Sequence, residues 1–265
     1  MVILRFLLSK FLEVLRVDDT MVESVTVIIK RQKNKDEMSY LEKFEYDGDF
    51  NIPIITLLEK INNQDEIKNI EGNIVEPIKF SCSCLQGLCG DCGILINGLP
   101  KLACTTFLID EIGESENEIL LEPFPKFPVI ADLVVDKEEM YESLKSLNQW
   151  IESDAKVNLD NIQNEYEMSL CLMCGCCLVA CPNYSSGDLF KGVPLAINSL
   201  KFISQEKDKK HSKELENNYN HYFYSGCTKS LLCEDVCPME IPIQRSISKM
   251  NRLSVWKLWQ LISNK

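Results

Sequence analysis

The order of apolar and polar positions predicts a small mixed sheet in the first half of the chain. Over residues 25–29 and 40–46, apolar side chains alternate with polar ones, as they do in strands with one buried face. A polar turn at residues 33–36 would join these strands into a hairpin. Apolar residues then recur at helical spacing over 54–61, which predicts a short helix ahead of a loop rich in cysteine.

Both ends of the chain carry apolar residues at helical spacing. Residues 1–20 predict an amphipathic helix with a wide apolar face, and no small-residue cleavage site follows it, so a signal peptide is not expected. A second apolar face near the C-terminus consists of Val255, Leu258, Trp259 and Ile262. Packing on this chain and docking on a membrane or partner surface stay open for both faces. No apolar run reaches the roughly 18 residues that a membrane-spanning helix needs.

A stretch rich in proline separates the two halves of the chain. Three prolines within six residues, inside 122–136, cannot continue a helix or a central strand and therefore predict a linker. Asp136 and Glu139 resemble a capping box that opens a helix. The core-facing side of that helix would consist of Met140, Leu144, Leu147 and Trp150. Another helix is predicted at 195–203, followed by a charge run at 206–213 that we expect to be solvated.

Length, charge and cysteine content narrow the class of protein. The chain has 265 residues, enough for two domains, each with its own core. Its formal net charge of -12 would repel a phosphate backbone, so nucleic acid is not an expected partner. The 13 cysteines cluster at short gaps that suit metal binding better than disulfides, which indicates a reducing, cytoplasmic setting. The two histidines, His211 and His221, lie at no ligand spacing beside a cysteine pair.

The first group of cysteines has the spacing of plant-type ferredoxins. The pattern C-x4-C-x2-C with a fourth cysteine downstream is formed by Cys84, Cys89, Cys92 and Cys104. This spacing predicts a 2Fe-2S cluster, and Gly87 and Gly90 would let backbone N–H groups approach its sulfurs. A four-cysteine zinc site is the alternative, and the asymmetric gap of four residues disfavours it.

Two further runs follow the bacterial ferredoxin pattern C-x2-C-x2-C-x3-C-P. The first run consists of Cys171, Cys174, Cys177 and Cys181, and the second of Cys227, Cys233 and Cys237 with Ser230 in place of a cysteine. The last cysteine of each run ligates the cluster of the other run. A 4Fe-4S cluster is therefore predicted on Cys171, Cys174, Cys177 and Cys237, and a 3Fe-4S cluster on Cys181, Cys227 and Cys233. The alternative for the third site is a four-iron cluster with Ser230 as an oxygen ligand. Cys82 and Cys176 remain, and we expect free thiols packed beside a cluster.

These motifs, in this order, resemble the iron-sulfur subunit of the succinate dehydrogenase and fumarate reductase family. The resemblance covers residues 24–250, including the linker P-F-P-K-F-P-V-I-A-D-L-V-V-D. A cysteine at position 92, and Thr228 after Cys227, are more similar to the fumarate reductase branch.

The resemblance implies an α+β fold in which two ferredoxin-like domains follow each other. A β-grasp plant-type 2Fe-2S ferredoxin domain would occupy residues 21–122, after the helix at 1–20. The linker at 123–136 would lead into an all-α bacterial-ferredoxin-like domain at 137–265 that holds the 4Fe-4S and 3Fe-4S clusters.

The resemblance also implies partners and a place in the cell. A flavoprotein subunit with FAD would interconvert fumarate and succinate, so no catalytic residue is expected in this chain. Membrane anchor subunits would hold it peripherally on the cytoplasmic face of a bacterial membrane, where quinone exchanges electrons. Many succinate dehydrogenases carry tryptophan and histidine where Ser186 and Thr228 stand here. This difference argues against ubiquinone binding of that kind and leaves menaquinone, or an acceptor other than quinone, open.

Two other functions stay open at the level of the sequence. One is a stand-alone soluble ferredoxin-type carrier, although apolar residues at both ends favour a fixed assembly. The other is the iron-sulfur subunit of a thiol-linked fumarate reductase that uses no quinone.

Overall fold

The computed structural model describes residues 23–112, 117–152, 154–155 and 162–256. The predicted N-terminal helix at 1–20 lies outside these residues, as do Leu258, Trp259 and Ile262 of the predicted C-terminal face. The final helix of the described part ends at Ser254, and Val255 is its C-cap residue. Within the described part, a strand-rich half is followed by a helical half, as expected.

A mixed sheet forms the first half of the described chain. Its strands in chain order are β1 (Val25–Arg31), β2 (Tyr40–Tyr46), β3 (Gly93–Ile96), β4 (Leu99–Leu102) and β5 (Glu118–Glu122). They lie side by side in the order β2-β1-β5-β3-β4, with β1 and β5 parallel and the other neighbours antiparallel. Helix α1 (Ile54–Asn62) and a 3-10 turn (Leu108–Asp110) complete this half. This arrangement is the predicted β-grasp.

The predicted hairpin and helix are confirmed by the pattern of burial. Alternate residues of β1 are buried, because successive side chains of a strand point to opposite faces. Val27 pairs with Phe44 across the hairpin, and both are buried. On α1 the buried residues are Ile54, Ile55, Leu57, Leu58 and Ile61. The apolar periodicity therefore located the sheet, its first turn and the helix that packs on it.

The proline-rich stretch is a packed segment rather than a free spacer. It contains a two-stranded antiparallel ribbon, β6 (Val129–Ala131) with β7 (Val134–Val135), which the sequence did not indicate. Phe124 and Phe127 are 0% and 4% exposed, so the segment contributes core residues. Prolines keep it out of the large sheet, since proline cannot donate a ladder hydrogen bond.

A buried ion network ties this stretch to the sheet. The Arg31 guanidinium donates to Glu42 at 2.7 Å and to Asp132 at 3.0 Å, and all three side chains are nearly fully buried. It also donates to the backbone carbonyls of Glu76 and Pro77. Asp132 in turn accepts hydrogen bonds from the backbone N–H groups of residues 32 and 79. The ribbon is therefore fixed to β1 and β2.

Helices make up the second half of the described chain. They are α2 (Glu138–Ser146), α3 (Ile162–Ser169), α4 (Cys176–Ala180), α5 (Val193–Gln205), α6 (Lys209–Tyr219), α7 (Leu232–Asp235) and α8 (Ile243–Ser254), with a π-turn at Asn220–Tyr224. Residues 193–200 of α5 are all buried, and α5 packs against α3, α6 and α8. This confirms the helix predicted at 195–203. No helix among these residues has the length and apolar character to cross a membrane.

The predicted capping box at the start of α2 is wrong. Asp136 accepts a hydrogen bond from the Glu138 backbone N–H, but the Glu139 carboxylate turns to Ser186 and to the backbone N–H of residue 187. Tertiary partners thus replace the local cap.

The helix α2 ends at Ser146, earlier than the apolar spacing predicted. Trp150 therefore lies beyond the helix, is 40% exposed, and is not the core residue that the spacing predicted.

The charge run at 206–213 is only partly solvated. Glu206 and His211 are 7% and 2% exposed. Glu206 accepts hydrogen bonds from the backbone N–H groups of Glu152 and Asp208, and the His211 ring contacts the Trp150 carbonyl at 3.0 Å. The expectation of a wholly solvated run was wrong at these two positions, because each finds backbone partners inside the fold.

The Arg31 network gives a test of how firmly the proline-rich stretch is held. Arg31→Met would leave the Glu42 and Asp132 carboxylates buried and unpaired, which costs about 3–5 kcal/mol for a buried pair. Lys43→Met is the control, since its 3.6 Å ion pair with Glu118 is about half exposed and such pairs contribute about 0–1 kcal/mol. Urea denaturation followed by circular dichroism should show a much lower midpoint for Arg31→Met alone, and equal midpoints would contradict this account.

Candidate cluster sites

The first cysteine loop, at residues 81–92, lies between α1 and β3 and directs backbone N–H groups at sulfur. The N–H groups of Gln86 and Leu88 donate to Cys84 Sγ at 3.4 and 3.2 Å. The N–H of Gly87 donates to Cys104 Sγ at 3.2 Å. A positive φ of 68° at Gly87 makes this turn possible. Such N–H groups stabilise negative charge on sulfur, so the loop is shaped for thiolate ligands.

The four predicted 2Fe-2S ligands lie in two different environments. Hydrogen bonds from the backbone and from Cys89 lower the pKa of the half-buried Cys84 thiol to about 7. Burial raises the pKa of the Cys92 thiol to about 12, and Cys104 lies beside it. The loop therefore presents an outer pair of sulfurs toward solvent and an inner pair against the sheet.

The four predicted 4Fe-4S ligands line one apolar cavity. Its walls include Cys171, Cys174, Cys177 and Cys237, together with Val193, Pro194 and Ile243. Burial is the main cause that raises the pKa of Cys177 well above its usual value, and the neighbouring thiols of this group add to the rise. Cys237 thus lies with cysteines that are at least 60 positions away in the sequence, as the exchange of the last cysteine between runs predicts.

The three predicted 3Fe-4S ligands line a second cavity. Cys181, Cys227 and Cys233 face it together with Ser230, which stands at the position of the missing cysteine. Burial raises the pKa of Cys233 to about 11, and Cys181 and Cys227 add to the rise. Ser230 is exposed, on the rim of the site.

The side chains at the three sites have the chemistry that iron-sulfur clusters require of their ligands. Each site presents thiols, the ligands that hold such clusters, and the cysteines of the described part are free of disulfides. Within the described residues, no group of three or more His, Cys, Asp or Glu side chains is arranged to hold a metal ion. At the second and third sites the thiols instead line shared cavities.

The first and second sites touch through the backbone. A Cβ atom on Gly90 would lie 2.8 Å from Cys174 Cβ and 2.8 Å from the Leu172 carbonyl oxygen. Gly90 has a φ of 75° and is buried. The loop that carries Cys89 and Cys92 therefore packs directly on the loop that carries Cys174, with no room for a side chain between them.

The two cysteines left over from the motifs have different surroundings. Cys176 is fully buried and donates its S–H to Cys174, an interaction that lowers the pKa of Cys174 to about 7 and raises that of Cys176. Cys82 is half-buried within the first loop, and burial raises the pKa of its thiol, with smaller contributions from Cys89 and Cys104. Cys176 therefore contacts a predicted ligand directly, while Cys82 interacts with two of them through charge.

Lys126 of the linker and Lys137, the N-cap residue of α2, are functional candidates that the motifs did not indicate. Lys137 donates to the backbone carbonyls of Gly90 and Asp91, and Lys126 donates to those of Leu178 and Cys181. Nothing in the spacing of these lysines marks them, because the contacts are made across the fold.

Each half of the chain matches a known domain family. Residues 26–142 match a 2Fe-2S iron-sulfur cluster binding domain, and residues 167–241 match a 4Fe-4S dicluster domain. The chain is 33% identical over 240 residues to the succinate dehydrogenase iron-sulfur subunit of Bacillus subtilis, covering 87% of this chain and 92% of that protein. The chain belongs to the iron-sulfur subunit family of succinate dehydrogenase and fumarate reductase. These iron-sulfur subunits are parts of oxidoreductase complexes.

Members of both branches of this subunit family are similar to the chain. The fumarate reductase iron-sulfur subunit of Wolinella succinogenes is 30% identical over 191 residues, covering 67% of this chain and 78% of that protein. A chain of the Mycobacterium smegmatis Sdh1 complex superposes with a TM-score of 0.72 at 19% identity, covering 87% of this chain and 95% of that chain. This superposition supports the two-part fold, while the choice of the fumarate reductase branch stays a prediction.

The contact between the first two sites can be tested at Gly90. Gly90→Ala would place a methyl group against backbone atoms of the second loop, and overpacking of this kind costs about 1–3 kcal/mol beyond the backbone strain. Gly98→Ala is the matched control, since Gly98 has a similar φ of 77° with no atom within 4 Å of the added carbon. We expect lower iron and sulfide per purified chain for Gly90→Ala only; equal contents would contradict the packed junction.

Proposed function

We propose that this chain is the electron-transfer subunit of a fumarate reductase or succinate dehydrogenase, relaying electrons between the FAD of a flavoprotein subunit and membrane quinone. Its ligands would be Cys84, Cys89, Cys92 and Cys104 for 2Fe-2S, Cys171, Cys174, Cys177 and Cys237 for 4Fe-4S, and Cys181, Cys227 and Cys233 for 3Fe-4S. When bound, these clusters supply one-electron transfer, and none of the bond chemistry of fumarate or succinate belongs to this chain.

The observation that carries the proposal is that the three groups of thiols are connected in series. The first group touches the second through Gly90 and Cys174. Helix α4 contains Cys177 of the second group, and its C-cap residue is Cys181 of the third. Consecutive sites are therefore joined by a few covalent or packed atoms, which is what a chain of electron transfers needs.

The two ends of this series differ in ways that suit two different partners. At the first end, Leu85 and Leu88 beside Cys84 are 49% and 62% exposed, an apolar surface that we assign to the flavoprotein. At the third site, the rim residue Ser230 is exposed and Leu232 is 44% exposed. We assign this end to the membrane anchor and quinone, which would place the chain peripherally on the cytoplasmic face of the membrane.

Two residues that follow third-site cysteines in the sequence, Ser186 after Cys181 and Thr228 after Cys227, bear on the choice of quinone. Ser186 donates to the Glu139 carboxylate and Thr228 donates to Asn183, so both hydroxyls already have partners. Because the tryptophan and histidine of many succinate dehydrogenases are absent at these positions, we propose menaquinone rather than ubiquinone as the acceptor.

The nuclearity of the third cluster can be tested at Ser230. An oxidised 3Fe-4S cluster is paramagnetic, whereas oxidised 2Fe-2S and four-iron clusters of this type give no signal. We expect an EPR signal from the oxidised complex, and we expect Ser230→Cys to remove it by supplying the fourth thiolate. Ser225→Cys, outside the ligand pattern, is the control. A silent spectrum from iron-replete wild-type complex would show that the three-iron assignment is wrong.

The function itself can be tested by purifying the tagged chain anaerobically from membranes of its own cells. We expect a flavin-bearing subunit in the same fraction, and reduction of fumarate with a reduced dye and with menaquinol. An iron-rich, monomeric chain without flavoprotein or activity would favour the soluble carrier. Fumarate reduction that requires thiols and is independent of quinol would favour the thiol-linked enzyme.

A further inference from the structure

Two lysines, one in the proline-rich stretch and one at the N-cap of α2, are unusual for a chain with a formal net charge of -12. Lys126 and Lys137 are both half-buried. Neither forms an ion pair with a carboxylate among the described residues, although 40 acidic residues are present in the sequence. Each ammonium is held instead by backbone carbonyls of a cysteine loop. A half-buried positive charge without a carboxylate partner suits a site that is completed by an anionic group.

Lys137 lies at the junction of the first and second sites. Its Nζ donates to the carbonyls of Gly90 and Asp91 at 3.1 and 3.3 Å, in the loop between the ligands Cys89 and Cys92. It also lies 5.6 Å from the centre of the Phe124 ring, which packs against Gly93. Gly90 is the residue that touches Cys174, and the Lys137 charge helps to lower the pKa of Cys174.

Lys126 lies at the junction of the second and third sites. Its Nζ donates to the carbonyl of Leu178 at 3.3 Å and to that of Cys181. These carbonyls belong to the end of α4, the segment that runs from Cys177 of the second site to Cys181 of the third. Burial lowers the pKa of Lys126, and the neighbouring Cys181 opposes this effect.

We propose that Lys137 and Lys126 are electrostatic positioning residues, one at each junction of the series, that raise the reduction potentials of the two clusters on either side. Reduction adds negative charge, and a fixed positive charge nearby stabilises the reduced form. The carbonyl contacts hold each ammonium between two sites rather than beside one. This inference rests on the proposed function, because it assumes that the three groups of thiols hold clusters.

The position of each lysine predicts a crossed pattern of effects. Lys137→Met should lower the reduction potentials of the 2Fe-2S and 4Fe-4S clusters and leave that of the 3Fe-4S cluster unchanged. Lys126→Met should lower the potentials of the 4Fe-4S and 3Fe-4S clusters and leave that of the 2Fe-2S cluster in place. At a fixed potential we expect the ratio of reduced to oxidised cluster to fall about tenfold, which is 59 mV for a one-electron couple.

The test is an anaerobic redox titration of the purified complex, followed by low-temperature EPR of each cluster. Lys145→Met is the matched control, because the Lys145 side chain is 73% exposed and pairs with Glu142. Removing its charge should leave the reduction potentials of all three clusters unchanged. Lys137→Arg and Lys126→Arg keep the charge and should keep the wild-type potentials. Should one methionine variant fail to assemble, the other still tests the inference at its own junction, because it should lower the potentials of the two clusters beside it and not that of the remaining cluster.

Two results would overturn the inference separately from the proposed function. Unchanged potentials in a methionine variant with full cluster content would show that the charge does not tune the clusters. Equal shifts in the methionine and arginine variants would show that the lysines act through packing alone. A wild-type complex without the three cluster signals would contradict the proposed function itself. The inference would then fail as well, because it depends on that function.

Discussion

The rest of the structure depends on the backbone contact between the loop of Cys89 and Cys92 and the loop of Cys174. A methyl group on Gly90 would collide with Cys174 and with the Leu172 carbonyl, so no side chain fits between the two loops. One loop belongs to the strand-rich half and the other to the helical half. Their contact turns two ferredoxin-like units into one series of thiol sites, which neither unit could form alone.

The proline-rich stretch maintains this contact rather than merely joining the two halves. Arg31 and Asp132 fasten it to the sheet through nearly fully buried ion pairs. Phe124 and Phe127 insert between the halves, where both rings lie within van der Waals distance of a Cβ atom on Gly175. Lys126, within the stretch, and Lys137, directly after it, then donate to backbone carbonyls beside the cysteines. Because it has no long strand or helix of its own, its structure is held by these tertiary contacts.

Much of the fold and the grouping of thiols could be predicted, because periodicity and ligand spacing are local signals. The alternation at 25–29 located β1, and Cys237 lines one cavity with Cys171, the pairing that the exchange of the last cysteine predicts. What could not be predicted depends on partners distant in sequence. The Glu139 carboxylate accepts a hydrogen bond from Ser186 instead of capping its own helix. Trp150 lies beyond the end of α2, which the spacing of apolar residues did not predict. The junction lysines carried no local signal either.

The most direct test of this account is the magnetic interaction between the first two clusters in the fully reduced complex. Both reduced clusters are paramagnetic, and a neighbouring spin speeds the relaxation of the 2Fe-2S EPR signal. Because the Gly90 loop packs on the Cys174 loop, the microwave power needed to saturate that signal should rise sharply once the 4Fe-4S cluster is reduced. A 2Fe-2S signal that saturates at the same power before and after this reduction would contradict the account.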